Sequence, residues 1–235
     1  MKKLNKFDER FLDADWYGIT KEITIIGCGA LGNRLALELV NIGHTVTVYD
    51  FDKVDIHNVK PQGFKESQIS QYKVNALRNL VLDYGGNIKL LDTYNVAWEG
   101  QDISHSNIVI CAADSMKTNK ELWEYFLNND NIELFIDARM LAEWYQCFII
   151  PRVSLDEQYK TYDTLKEFYE SYLLTDAEIP DPSCTYKSTR YAAQKCQSDI
   201  IGAINHYLTQ MKDNDNQSIE VSFFWEWNGR SNYFF

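Results

Sequence analysis

The sequence predicts an α/β fold: a mostly parallel sheet flanked by helices, with a C-terminal β-hairpin. Three observations predict it. β-branched apolar runs alternate with stretches of helical period along most of the chain. One alternation, Ile23–Asp50, reads strand, glycine turn, helix, strand and acid in that order. Near the end, Asn228-Gly229 separates Val221–Trp227 from Asn232–Phe235, a type I′ hairpin signal.

The first strand is Ile23–Ile26, and Gly27-Cys28-Gly29-Ala30-Leu31-Gly32 follows it as G-x-G-x-x-G. Gly27 permits a tight turn. Gly29 and the neighbouring Ala30 let backbone approach a phosphate, and Gly32 lets the helix pack close to the strand. The free N–H groups at the helix start then face the phosphates. Leu31, Leu35, Leu39 and Ile42 share one helix face, and Gly43 ends it. Thr45–Tyr49 is the second strand. Asp50, at its carboxyl end, is suited to accept hydrogen bonds from ribose hydroxyls. This is a nucleotide-binding βαβ order, so the expected fold is Rossmann-like.

Phe51–Gln62 reads as a loop and Lys65–Tyr84 as one helix, with Ile69, Val74, Leu77, Leu80 and Val81 inward. Ile88–Leu91 is the third expected strand. Ile108–Ala112, apolar on both faces, is expected to be central and parallel. Lys117–Asn128 is a helix, Leu134–Asp137 a strand and Trp144–Ile150 another, ended by Pro151. Leu155–Leu174 carries Leu165, Phe168, Tyr169, Tyr172 and Leu173 at helical spacing, as a helix packed on its own domain or a surface for a partner. Asp176–Thr185 is an irregular loop. Ser188–Met211 is a long helix. The expected organisation is an arm, 1–22, and a single domain, 23–235.

The chain has 235 residues and a net charge of −11, which argues against a nucleic-acid or anionic-membrane surface but leaves ATP open. Five cysteines, none in a C-x-x-C pair, suggest neither a disulfide framework nor a four-cysteine zinc site. Cys28 and Cys111 read as small packing residues. MKKLNKFDERF lacks the apolar core of a leader, and no run approaches a membrane span. The expected location is cytoplasmic.

Asp50 is followed by Asp52, Val54, Asn58 and Gln62, and then by Lys73: D-x-D-x-V-x-x-x-N-x-x-x-Q with a lysine some way on. From about Ile23 to Ile204 the chain resembles the ThiF/MoeB adenylyltransferases, the fold shared with ubiquitin-activating enzymes. The resemblance implies ATP, Mg²⁺ and activation of a carboxylate at the C-terminus of a ubiquitin-like protein, a sulfur carrier or a peptide. It also implies a homodimer, or a heterodimer with a relative. Lys73 and Asn58 match family residues at the phosphates; alternatively they are a solvated helix lysine and a turn residue. Asp114, in Cys111-Ala112-Ala113-Asp114-Ser115, matches the aspartate that positions Mg²⁺; alternatively it caps the following helix. Cys184, in Pro182-Ser183-Cys184-Thr185, resembles the cysteine that takes the acyl group as a thioester in a crossover loop, here about 176–187; alternatively it is structural.

The chain also departs from that pattern. Proline stands at position 61, where the family usually has arginine, and Lys60 is the nearest cation to replace it among the phosphate contacts. Asn119 stands where relatives often carry another arginine, and the zinc knuckles of many members are missing. Two further readings follow. One is a catalytically inactive scaffold that dimerises with an active partner. The other is an NAD-dependent oxidoreductase, although His44, His57, His105 and His206 form no pattern suited to hydride transfer.

Overall fold

The computed structural model describes residues 11–152, 162–173, 190–213 and 224–228. The elements are β1 (Glu22–Ile26), α1 (Gly32–Asn41), β2 (Thr45–Tyr49), α2 (Ile56–Gln62), α3 (Lys73–Asp83), β3 (Leu91–Tyr94), β4 (Ile108–Cys111), α4 (Met116–Leu127), β5 (Leu134–Leu141), β6 (Trp144–Pro151), α5 (Tyr162–Glu170), α6 (Arg190–Asp213) and β7 (Phe224–Asn228). Among the described residues the sheet has seven strands in the order β3-β2-β1-β4-β5-β6-β7. The first five run parallel, whereas β6 is antiparallel to both β5 and β7. The expected α/β class with a mostly parallel sheet is what the chain forms. β4 is buried on both faces, as its unbroken apolar run requires.

Two cores flank the sheet. On one side Ile23, Ile25, Val46, Val48 and Ile110 pack with Leu35 and Leu39 of α1, Leu77 of α3 and Ile200 and Ile204 of α6. On the other, Ile26, Val109 and Phe135 meet Leu122, Trp123 and Phe126 of α4 and Tyr169 of α5. β1 lies between β2 and β4, so successive connections leave it in opposite directions. That reversal is the switch point of the sheet, and in open α/β sheets ligands bind beyond the carboxyl ends of the strands at such a point.

Several elements differ from the sequence expectation. The span 51–62 is not all loop. Asp55 caps α2 by accepting from His57 N at 3.0 Å, and Gly63 ends the helix at φ +75°. No residue of α2 is fully buried, so it carries no apolar period to read. The span 65–84 is not one helix. Glu66–Gln68 is a 3₁₀ turn, Ser70 is left-handed at φ +73°, and only then does α3 begin. Ser70 N and Val54 N donate to Val54 O and Gln71 O at 2.8 Å, tying this stretch to the preceding loop rather than to a helix. The third strand starts at Leu91, since Ile88–Leu90 is a 3₁₀ turn whose Asn87 side chain accepts from Lys89 N. Pairing with β2 sets that register, and Tyr94 stacks on Tyr49. β5 runs past Asp137 to Leu141, where a tight turn with Ala142 at φ +55° leads into β6. β7 supplies one arm of the expected C-terminal hairpin. Its other arm and residues 1–10 of the expected arm lie outside the described residues. Among the described residues no helix is long and apolar enough to cross a membrane.

Candidate functional site

The glycine turn joins β1 to α1 under tight steric limits. Gly27 has φ +103°, and its N donates to Tyr49 O at 2.9 Å. A Cβ there would lie 2.5 Å from Ala112 O, and one on Gly32 would lie 1.9 Å from Gly27 O. Gly29 meets no such limit; the nearest atom to its Cβ position is Gln62 Nε2 at 4.0 Å. Leu31 at the N-cap of α1 offers no side-chain cap, and the first turn holds no acid. Asn33 N donates to Gly29 O at 3.3 Å, and the other donors of the first turn are left for an anion. Gln197 of α6 supports the turn from behind, donating to Ala30 O at 2.7 Å and Leu31 O at 2.9 Å.

Asp50 fastens this turn to β2. Its Oδ2 accepts from Cys28 N at 2.6 Å and its Oδ1 from Asp52 N at 2.7 Å. Burial raises its pKa, with the Lys73 charge and the two N–H groups opposing that shift. The buried Cys28 thiol is pushed well up, by burial first and then by Asp50, so it is a packing group. Lys73 opens α3 with its side chain only 8% exposed, 2.6 Å from an Asp52 carboxylate that is 49% exposed. A cation in the first turn opposes the helix dipole, and Asp52 offsets that cost. Lys73 N also donates to Asp52 O at 2.8 Å, so the pair is held by backbone as well.

Asn58 and Gln62 lie one turn apart on α2. The side-chain oxygens of both, and of the buried Asn33 in α1, have no hydrogen-bond partner. Asn33 Nδ2 donates to Gln62 O at 2.6 Å, which holds the end of α2 against the start of α1. A buried amide without a partner is costly. Rotating the Asn58 and Gln62 amides by half a turn presents NH₂ instead of oxygen. Amides of this kind beside an uncapped helix start and a buried lysine fit a phosphate ligand. Lys60, two residues beyond Asn58, is exposed on roughly the opposite side of α2.

Asp114 is exposed in the loop from β4 to α4, which runs against Gly27 through Ala112 and Ala113. The cap of α4 is Ser115, whose Oγ accepts from Thr118 N at 3.4 Å. Among the described residues no group of three His, Cys, Asp or Glu side chains could hold a metal by itself. Cys184 and the expected crossover loop lie outside the described residues.

The motif reading assigned no role to Gln62, Asn33, Gln197 or the buried carboxylate Asp137. Asn33 had a signal: it is a polar residue in the first turn of a helix whose other inward positions are apolar. Asp137 and Arg139 had a weaker one, since their i, i+2 spacing puts opposite charges on one strand face.

The ThiF family profile matches residues 19–212. No curated protein matches the sequence. Among solved structures, Escherichia coli MccB with MccA-N7isoASN has a TM-score of 0.64 at 12% identity, over 92% of this chain and 63% of that one. MccB with ATP gives 0.62 at 12%, over 92% and 62%. Selenomethionine PaaA gives 0.66 at 16%, over 98% and 73%. At such identities the likeness is one of fold, and this chain spans little more than three fifths of those two MccB chains.

Proposed function

The chain belongs to the ThiF family, and we propose that it is an ATP- and Mg²⁺-dependent adenylyltransferase that activates a peptide or small-protein carboxylate. The observation that carries this reading is the joint placement of the uncapped α1 start, the Asp52–Lys73 pair and the amides of Asn33, Asn58 and Gln62 at the sheet's switch point. The substrate class draws on MccB, one of the similar folds, which is seen with MccA and with ATP.

In this reading the helix start and the Asn58 and Gln62 amides bind the phosphates. Lys73 leaves Asp52 to meet developing negative charge, and Asp50 accepts hydrogen bonds from the ribose hydroxyls. Asp114 holds Mg²⁺, which neutralises phosphate charge when bound. A substrate carboxylate oxygen attacks the α-phosphorus. The bond to the bridging oxygen breaks, and pyrophosphate leaves behind an acyl-adenylate. The residues act by positioning and charge stabilisation. A thiolate at Cys184 would attack the acyl carbon, release AMP and leave a thioester. The 23–235 span acts as one adenylation domain, and the chain pairs with a second copy or a relative.

Pyrophosphate–ATP exchange with candidate peptides tests the reading. Lys73→Ala and Asp114→Ala are each expected to lower exchange about 100-fold. Exchange that survives both changes intact overturns it. Pro61, together with the outward-facing Lys60, favours the second reading, a catalytically inactive scaffold that dimerises with an active partner. Calorimetry with MgATP separates the two in part: no heat of binding favours the scaffold, whereas exchange activity favours the enzyme.

A further inference from the structure

The carboxylate of Asp137 is fully buried in the middle of β5. Asn119 Nδ2 donates to both its oxygens at 3.0 Å. Arg139 donates to Oδ2 from Nε at 2.9 Å and Nη2 at 2.7 Å, and Tyr169 OH adds a bond at 2.8 Å. Arg139 Nη1 reaches Tyr172 O at 2.7 Å, and its guanidinium lies over the Phe148 and Tyr169 rings. Asn119 Oδ1 accepts in turn from Cys111 Sγ at 3.1 Å. The ring therefore joins β4, α4, β5 and the α5 end.

A buried ion pair of this kind is a poor source of net stability, because desolvation offsets most of the attraction. Its position suggests another use. Cys111 is the last residue of β4, and Asn119 lies in the first turns of α4. Between them runs the Asp114 loop. Both of its flanks are fastened to one point on β5, and Ala112 N is fastened to Ile26 O at 2.8 Å. We propose that Asn119, Asp137 and Arg139 are positioning residues that fix the Asp114 loop against the glycine turn, and so set how strongly Mg²⁺ contributes to nucleotide binding. The inference rests on the adenylation reading above.

The test uses the full chain with Asn119→Ala, and Tyr169→Phe as a milder change on the α5 side. Amide hydrogen exchange without nucleotide is expected to quicken at least tenfold over residues 112–117 in Asn119→Ala, and to a smaller degree in Tyr169→Phe. Calorimetry then compares the ATP dissociation constant in EDTA with that in Mg²⁺. The gain from Mg²⁺ is expected to fall at least fivefold, with the EDTA value within twofold of wild type. Unchanged loop exchange, an unchanged Mg²⁺ gain, or equal weakening in both buffers overturns the inference. A wild type that binds no nucleotide in either buffer removes the adenylation reading and this inference together, and does so before any variant is made.

Discussion

The end of β2 and the middle of β5 treat a carboxylate in opposite ways. Asp52, just past β2, is half exposed and has one charged partner, Lys73. Asp137, on β5, is sealed from water and takes bonds from Asn119, Arg139 and Tyr169. The first pair is open to solvent on its Asp52 side. The second has no room for a new partner. An acid beside a site is thus either available for binding or committed to holding the frame, and burial decides which.

Breaking the committed pair should have the largest effect. Asp137→Ala leaves Arg139 buried without its charge partner and is expected to cost about 3–5 kcal/mol, read from the denaturant midpoint. Asp52→Ala leaves the buried Lys73 without that partner but still facing the Asp50 charge, and should cost about 1–3 kcal/mol by the same measurement while weakening ATP binding. Equal losses would collapse the contrast between the two carboxylates.

Acid provides a second check away from both. His44, at the opposite end of β2 from Asp52, accepts from Lys21 N at 3.1 Å through Nδ1. Burial, then the Lys21 charge, lowers its pKa to about 4. The unfolded chain therefore takes up a proton near the usual 6.5 that the folded chain refuses until about 4. This contribution to stability is present above about 6.5 and is lost as pH falls from there towards 4, by at most about 3 kcal/mol. His44→Gln is expected to flatten that window in a pH series of urea melts and to leave the Asp52 and Asp137 effects unchanged. The smallest effect is expected from Ser115→Ala, about 1 kcal/mol for a lost helix cap. It should loosen the Asp114 loop less than Asn119→Ala does, as read by hydrogen exchange.

The family resemblance was legible because its residues are close in sequence. The glycine turn, Asp50, Asp52 and Asn58 fall within about thirty positions, and each is set by a local backbone or helix-end requirement. Lys73 was legible as a motif position, but its burial against Asp52 was not, because the left-handed Ser70 and the bonds to Val54 break the expected helix. α2 was missed because it has no buried face. The third strand shifted by three residues because Ile88, Lys89 and Leu90 suit a 3₁₀ turn as well as a strand, and only β2 chooses between them.

By itself the sequence determined the α/β class, the position of the glycine turn and the central place of β4. Helical and strand periods and the glycine requirement at Gly27 and Gly32 act over a few residues and need no partner to be read. Tertiary structure alone decided the strand order, the antiparallel β6 and β7, the orphaned amides around Gly29 and the commitment of Asp137. Those depend on pairings between distant segments, such as Asn119 with Asp137 or Gln197 with Ala30, whose energy exists only once burial has removed the water that would otherwise satisfy each group.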